Sequence, residues 1–194
     1  MITIVPYDTS WPEEFVAVAQ PLHAVLGELA LRIDHIGSTS VPGLAAKDII
    51  DVQVTVEDFT CMPQLVTALG SLGYTQVPEY TRDHLPPLYQ GPDTDWEKRY
   101  FRPPANQRPT HLHIRALGRP NQRYPILFRD YLRAHPMASA AYAQIKINLS
   151  RHHPDDADFY YDIKDPLCDI VIDAAEDWAR VTGWQMALSQ KPCA

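Results

Sequence analysis

The chain of 194 residues carries a net charge of −7, and 45% of its residues are hydrophobic. This length and composition indicate one globular domain. No apolar run approaches the roughly 20 residues of a membrane span, and the first residues lack the basic and apolar regions of a signal peptide. Three scattered cysteines fit neither a disulfide framework nor a zinc motif, so we expect a cytoplasmic protein without membrane association. The negative charge argues against general nucleic-acid binding.

The first predicted helix begins near Trp11. Ser10 and Glu13 have the spacing of a capping box, and apolar residues follow at helical spacing. Pro21 should kink or split this helix, because proline removes a backbone hydrogen bond. Gly27 marks its expected end.

Two strands are predicted next. A short apolar segment ends at Gly37-Ser38, and after a loop the segment Ile49–Val56 alternates between apolar and more polar residues. Because successive side chains of a strand point to opposite faces, Asp51 and Gln53 fall side by side on the less apolar face.

The loop between these strands supplies residues suited to phosphate. Gly37 permits close backbone approach, and Ser38, Thr39 and Lys47 offer hydroxyl and ammonium groups. The carboxylate of Asp51 follows on the next strand and suits Mg²⁺. The order strand, turn, lysine and acid predicts a phosphate and metal site.

A helix over about 63–72 and a strand over about 74–77 come next. Residues 78–125 then contain nine of the eighteen prolines, which break any long element. The loop Arg82–Asp95 is long enough to be a mobile cover over a site.

Two short runs interrupt the proline-rich segment. Trp96–Arg102 is predicted as an edge strand, and Thr110–Ala116 alternates as a second strand, with a hairpin turn at 106–109. One face of the second strand carries His111, His113 and Arg115. We expect these side chains to share a face of the sheet with Asp51 and Gln53.

From Pro120 onward the pattern is helical. A first helix should end at Pro136, a second should run from Met137 to about Arg151, and a third from Phe159 to about Trp184 with an interruption near Pro166. The predicted inward residues are Ala141, Ile145 and Leu149 in the second helix, and Leu167, Val171, Ala174, Trp178 and Val181 in the third.

These elements predict an α+β fold class: a small mixed β-sheet with packed helices and a helical C-terminal half. We expect a single domain over residues 1–188, with a sheet-containing part over about 1–118 and a helical part over about 119–188. Residues 189–194 are expected to form a loose tail.

Charge is distributed unevenly. Residues 98–151 contain eleven lysines and arginines and one acid, whereas Asp155–Asp177 is acidic. In one interpretation the two segments attract each other on the surface; in the other, which we favour, the basic segment faces an anionic ligand. The candidates for contact are one of Lys98 and Arg99, together with Arg115, Arg129 and Lys146.

Several segments carry a family resemblance. HIGSTSVPGLAAKDIIDVQV, at residues 35–54, is similar to the signature of the GrpB family. PYDTSWPEEF, WEKRYF, THLHI and LFRDYLRAHPMASAAYAQIK fit the same family. The resemblance implies the nucleotidyltransferase fold, and it implies a relation to a domain fused to dephospho-coenzyme A kinase in some bacteria.

The resemblance also implies a site, from which this sequence departs. The superfamily typically uses a Gly-Ser turn, a pair of acids on one strand and a third acid on a later strand. Gly37-Ser38 and Asp51 match, but Gln53 stands at the second acid, and His111 and His113 stand where the third is expected. Histidine suits Zn²⁺, Mn²⁺ or Fe better than Mg²⁺.

The first functional interpretation is a nucleotidyltransferase-like protein that binds a nucleotide or similar phosphorylated small molecule, with an unknown acceptor for any transferred group. Its catalytic candidates are Asp51, Gln53 and His113. Its ligand-binding candidates are Gly37, Ser38, Thr39, Lys47, Lys98, Arg99, Arg115, Arg129 and Lys146. Asp51, His111 and His113 are the candidate ligands for Mg²⁺, Mn²⁺ or Zn²⁺.

Two other interpretations stay open. One is a catalytically degenerate binding or folding-assistance module associated with coenzyme A biosynthesis, which Gln53 favours. The other is a metal-dependent hydrolase that uses Asp51, His111 and His113. Each residue also has a structural interpretation: Asp51 as a loop cap, Lys47 as a solvated lysine, and the histidines as half-buried strand residues.

Overall fold

A single five-stranded sheet is the centre of the computed structural model, which describes residues 1–187. The strands are β1 (Arg32–Ile36), β2 (Ile50–Val56), β3 (Thr75–Gln76), β4 (Arg99–Arg102) and β5 (Thr110–Ala116). The helices are α1 (Trp11–Leu26), α2 (Met62–Ser71), α3 (Pro120–Ala134), α4 (Pro136–His152) and α5 (Ala157–Thr182). Short 3₁₀ turns include Ser38–Ser40 and Asp93–Trp96.

The sheet is mixed, with strand order β1-β2-β5-β4-β3. β2 and β5 run parallel at its centre, and the other neighbouring pairs are antiparallel. The prediction of an edge strand at 96–102 was wrong: β4 lies between β5 and the two-residue strand β3, which forms the edge. The strand predicted over about 74–77 forms as Thr75-Gln76 and pairs with the outer side of β4, a tertiary contact that local pattern does not specify.

One face of the sheet is apolar. Val52, Val54, Leu112 and Ile114 are fully buried there, and residues of α1 and α2 pack against them in one hydrophobic core. The alternation of β2 and β5 specifies this arrangement, because it segregates branched apolar side chains to the helix-covered face. The opposite face carries the polar partners and turns toward the C-terminal helices.

Two predicted helix breaks do not occur. α1 is continuous through Pro21, and α5 is continuous through Pro166. The capping box at Ser10 is also absent, since no side chain caps α1 and the Ser10 hydroxyl instead donates to Glu14 at 3.2 Å. Burial of Leu22 and Leu26 helps to stabilise the part of α1 that follows Pro21.

The inward faces of α4 and α5 differ in part from the prediction, although Leu167, Val171 and Trp178 of α5 do pack against the apolar clusters. On α4 the buried side chains are Ser139, Tyr142 and Lys146, whereas Ala141 is exposed. On α5 the buried side chains are Tyr160, Ile172, Ala175 and Ala179, whereas Ala174 and Val181 are exposed. The physical reason on α4 is that it faces a polar pocket, so its inward residues do not follow apolar periodicity.

The predicted fold class is confirmed: a small mixed sheet with packed helices precedes a helical C-terminal half. Among residues 1–187 no helix is long and apolar enough to cross a membrane. The cytoplasmic location and the extent of the domain stay predictions, and the expected tail at 189–194 lies outside the described residues.

Candidate functional site

A pocket of about 510 Å³ opens on the polar face of the sheet. Its floor comes from β2, β4 and β5, one side comes from the turn after β1, and α3, α4 and α5 supply the remaining walls. The predicted residues that line it are Gly37, Ser38, Thr39, Lys47, Asp51, Lys98, His111, His113, Arg115 and Lys146.

Asp51, His111 and His113 form a compact cluster in this pocket. Their candidate ligand atoms lie within 4.8 Å of one another, with His111 Nδ1 at 3.0 Å and His113 Nε2 at 3.9 Å from Asp51 Oδ1. The register of the sheet explains why these side chains lie close together, because Asp51 of β2 pairs with His111 of the parallel strand β5. Two imidazoles and one carboxylate fit a transition metal better than Mg²⁺.

The protonation states suit such a cluster. Burial lowers the pKa of His113 to about 4, so its imidazole is neutral near pH 7. Burial alone would raise the pKa of Asp51, but the hydrogen bond with His111 and the nearby imidazole of His113 hold that pKa well below its usual range. A neutral imidazole and an ionised carboxylate are the forms that bind metal.

Gly37 is required by the packing at Asp51. Its φ of +69° lies in the left-handed region, and a Cβ at this position would overlap the Asp51 carboxylate. A residue without a side chain therefore lets the turn Ser38–Ser40 approach the acid closely. The close approach is to Asp51, and it places Ser38 beside the cluster of Asp51, His111 and His113.

Lys146 extends from α4 into the same end of the pocket. Its side chain is only 2% exposed, and its Nζ donates to Ser38 Oγ at 2.7 Å and to the Ala45 carbonyl oxygen at 2.6 Å. No ion pair within 4.0 Å joins Lys146 to a carboxylate in the part of the chain that the structure describes. Burial lowers the pKa of this ammonium group to about 7.

Two further lysines lie nearby. Lys47 Nζ donates to the Tyr161 hydroxyl at 2.8 Å, and Lys164 Nζ lies 3.4 Å from Asp165 Oδ1. Both line the pocket beside Tyr160. Lys164 was missed in the sequence, although a signal existed: it is the single base within the acidic segment Asp155–Asp177.

Three predicted site residues do not line the pocket. Gln53 is fully buried, donates to the Gln122 carbonyl oxygen at 2.8 Å and accepts from Arg115 at 2.7 Å. Arg99 lies on the apolar side of the sheet, with its guanidinium 4.4 Å from the ring centroid of Phe59. Gln53 is therefore held by buried hydrogen bonds beneath the pocket, and Arg99 packs on the opposite side of the sheet.

Arg129 is the third predicted site residue that does not line the pocket. Its NH1 donates to the His35 carbonyl oxygen at 2.9 Å, and its Nε forms an ion pair with Asp130 at 2.7 Å. It therefore joins α3 to β1 from outside the pocket. His35 itself is buried and packs against Phe15 with ring centroids 4.6 Å apart, so it serves the core and not the pocket.

Lys98 and Arg115 line the pocket but already have an anionic partner. Asp83 accepts two hydrogen bonds from Arg115 at 2.9 Å each, one from Lys98 at 2.7 Å and one from Asn121 at 3.0 Å. Asp83 belongs to the loop predicted as a mobile cover, and these bonds tie the start of that loop to the sheet. Sequence reasoning missed Asp83 because its partners are 15 to 38 residues away.

Most of the remaining basic segment is also paired. Arg108 contacts Glu14 and Asp48, Arg119 contacts Asp95, and Arg123 contacts Glu176. At these positions the basic residues form internal ion pairs, but of the three only Arg123 pairs with the acidic segment Asp155–Asp177, so neither interpretation describes them as a group. Lys146 differs, because its ammonium group is buried against neutral oxygens.

The fold and pocket first define a class: an α+β protein whose small mixed sheet carries a polar site against a helical C-terminal half. The chain belongs to the GrpB family, because the sequence profile described as GrpB protein matches residues 1–174. The crystal structure of the conserved protein GrpB from Enterococcus faecalis is similar, with a TM-score of 0.74, 32% identity, and coverage of 91% of this chain and 99% of that one. The family membership expected from the motifs is confirmed.

Relatives with other names also match. The dephospho-CoA kinase of Mycolicibacterium paratuberculosis is 36% identical over 196 residues, covering 95% of this chain and 48% of the relative. The UPF0157 protein BH1888 of Halalkalibacterium halodurans is 34% identical over 169 residues, covering 86% of this chain and 78% of that protein. This chain thus spans about half the length of the dephospho-CoA kinases that it matches.

Proposed function

We propose that the pocket binds a nucleotide or a similar phosphorylated small molecule. Its phosphates would lie near Ser38 and Lys146, and a divalent cation would be held by Asp51, His111 and His113. The resemblance to the nucleotidyltransferase superfamily and the geometry of the pocket support the same ligand class.

The burial of Lys146 without a carboxylate partner is the observation that carries this proposal. A buried ammonium group is unfavourable unless an opposite charge compensates it. Lys146 has two neutral oxygen acceptors, and Lys47 lies in the same pocket with a hydroxyl as its partner. A phosphate chain would supply the missing negative charge through strong charge-assisted hydrogen bonds.

The donor set fits a cation such as Mn²⁺ or Zn²⁺. A cation held there would polarise a phosphoryl oxygen as a Lewis acid. The chain prepares this position in two ways: the close approach of Gly37 fixes Asp51, and burial keeps His113 in the neutral form that can ligate a cation. Gln53 makes buried hydrogen bonds elsewhere, so we propose one cation position instead of two.

Nucleotidyl transfer to an acceptor is the reaction that we propose for the bound nucleotide. Such transfer needs anchored phosphates, a cation and an aligned nucleophile, with little covalent chemistry from the protein. Ser38 and Thr39 after β1 and Lys47 before β2 would take the anchoring role, and Lys146 would complete it from α4. The acceptor would enter over the exposed side of the pocket.

A ligand screen followed by a turnover assay tests this function. Thermal shift with nucleoside triphosphates and coenzyme A precursors, with and without Mn²⁺ or Zn²⁺, should show stabilisation by a phosphorylated ligand. Lys146→Met should remove that stabilisation, whereas Arg180→Ala, on an exposed turn of α5, should preserve it. If no phosphorylated ligand stabilises the wild-type protein, the proposal is wrong.

A metal-dependent hydrolase is the second candidate, and the Asp-His-His cluster favours it. Catalytic zinc sites commonly use three protein ligands of this kind and keep one position open for water. Release of product from a labelled phosphoester without any acceptor would favour hydrolysis. Incorporation of label into an acceptor would favour transfer.

A non-enzymatic module is the third candidate. The matched relatives named dephospho-CoA kinase support an association with coenzyme A biosynthesis, and the neutral Gln53 supports a degenerate site. Binding of a coenzyme A precursor without turnover of any labelled nucleotide would favour this function over the first two.

A further inference from the structure

Four aromatic rings line one side of the pocket in an unbroken row, which we call the aromatic wall. Its members are Trp96, Tyr124, Phe128 and Tyr142. Successive ring centroids lie 5.8, 6.4 and 5.4 Å apart, so the row runs from the turn Asp93–Trp96 across α3 to α4. At the α4 end, Lys146 Nζ lies 4.7 Å from the Tyr142 ring centroid. The aromatic wall therefore leads to the proposed phosphate end.

Asn121 stands at the other end, one helical turn before Tyr124 on α3. Its side chain is buried, at 1% exposure, and its Nδ2 donates to Asp83 Oδ2 at 3.0 Å and to the Glu97 carbonyl oxygen at 2.8 Å. Two acceptors on one side fix the orientation of the amide. Its Oδ1 has no hydrogen-bond partner among residues 1–187.

A buried acceptor without a donor is unfavourable, and native structures rarely leave one unpaired. Asn121 lines the pocket, so a donor on a bound ligand can reach this part of the molecule. The aromatic wall adds a second requirement, because aromatic faces favour planar rings stacked against them. The two features together describe a ligand that is flat and carries an N–H group at its edge.

We infer that the aromatic wall binds the base of a nucleotide and that Asn121 Oδ1 accepts an N–H from the edge of that base. This inference rests on the proposed function and narrows its ligand class to nucleotides. Sugar phosphates lack the planar ring, and inorganic polyphosphates lack both the ring and the N–H donor. The base would lie at the α3 end and the phosphates at Lys146.

Calorimetric titration of the wild-type protein with Mn²⁺ present gives the first test. The probes are the four nucleoside triphosphates and inorganic triphosphate. Stacking of a base on aromatic side chains predicts that at least one nucleotide binds about fivefold or more tightly than inorganic triphosphate. Equal affinity of all five probes would overturn the inference while leaving the proposed phosphate site intact.

Variants of the aromatic wall give the second test. Phe128→Leu should weaken binding of the preferred nucleotide by about fivefold or more and leave inorganic triphosphate unchanged. Phe159→Leu, on α5 outside the pocket lining, is the matched control and should change the affinity for neither the nucleotide nor inorganic triphosphate. Equal loss for both probes in Phe128→Leu would contradict a base-binding role.

Asn121→Ala tests the edge contact, with the exposed Asn148 of α4 as the control position. The Asn121→Ala variant should weaken binding of the preferred nucleotide and reduce the differences in affinity among the four nucleoside triphosphates. Asn148→Ala should change neither quantity. Thermal melts verify folding of each variant. If Asn121→Ala does not fold, the wild-type protein is titrated instead with an analogue of the preferred nucleotide that is methylated at the edge nitrogen of its base. Unchanged affinity for that analogue would refute the contact with Asn121. Failure of every probe to bind would overturn the proposed function as well.

Discussion

Lys146 Nζ on α4 lies 2.7 Å from Ser38 Oγ at the end of β1, although 108 residues separate the two. The contact joins the helical half to the sheet at the candidate site. Because the second acceptor of Lys146 is the Ala45 carbonyl oxygen, both partners come from the segment that follows β1. The ammonium group is thus fixed at the end of the pocket where we propose that a phosphate binds.

Binding of a phosphorylated ligand should be coupled to proton uptake. Burial holds the pKa of Lys146 at about 7, so the group is largely neutral at pH 8. A phosphate beside it favours the charged form and raises its pKa. Affinity should therefore be highest below pH 7 and fall as the pH rises above 7. Calorimetry at pH 8 in two buffers of different ionisation enthalpy should show uptake approaching one proton in wild type and less in Lys146→Met.

Arg129 should contribute to stability and not to binding. Its guanidinium contacts the His35 carbonyl oxygen and Asp130 outside the pocket, whereas Lys146 lies inside it. Loss of one charge-assisted contact predicts that Lys146→Met weakens nucleotide binding by about tenfold or more. Arg129→Ala should lower the unfolding free energy and leave affinity within about twofold, at the level of a surface substitution. Equal losses of affinity in the two variants would contradict this division of roles.

Metal binding should depend on Asp51 and the two histidines. Mn²⁺ or Zn²⁺ should raise the melting temperature of the purified protein more than Mg²⁺ does, because imidazole ligands favour transition metals. Asp51→Asn and His111→Ala should abolish the effect, measured by thermal shift and by metal content. His152→Ala, at the exposed end of α4, serves as the control. No bound metal and no stabilisation by either ion would exclude the site.

Gly37 should be needed for the site as well as for the fold. Gly37→Ala adds a side chain at φ +69° where it overlaps Asp51, whereas Gly43→Ala adds one at φ +80° with nothing within 4 Å. Both variants should lose about 1–2 kcal/mol of stability from the left-handed conformation. Only Gly37→Ala should also lose metal-induced stabilisation, and retention of that effect would show that Asp51 does not need this close approach.

Acid should destabilise the protein through His35. Burial lowers the pKa of this histidine from 6.5 to about 4, so the unfolded chain binds more protons between those values. The stability contributed by neutral His35 is complete above pH 6.5 and is lost as the pH falls to 4, amounting to roughly 3 kcal/mol. Denaturant unfolding from pH 7 to 4 should show a shallower loss in His35→Phe than in wild type or in the exposed control His152→Phe.

Sequence alone determined the parts that depend on local pattern. The alternation of β2 and β5 placed Asp51, His111 and His113 on one face, since side-chain direction along a strand has a fixed period. The motif around Gly37 identified the turn, because only glycine accepts that conformation beside an acid. The family and the α+β architecture also followed from these segments and the helical spacing.

Only the tertiary structure decided which charges face the pocket. Lys98 and Arg115 share the carboxylate of Asp83, and Arg129 pairs with Asp130, whereas Lys146 keeps neutral partners. On α4 the inward face is set by the pocket and not by apolar periodicity, so sequence spacing pointed to Ala141 instead of Tyr142. Charge pairing depends on the distance between side chains far apart in the chain, and composition carries no information about that distance.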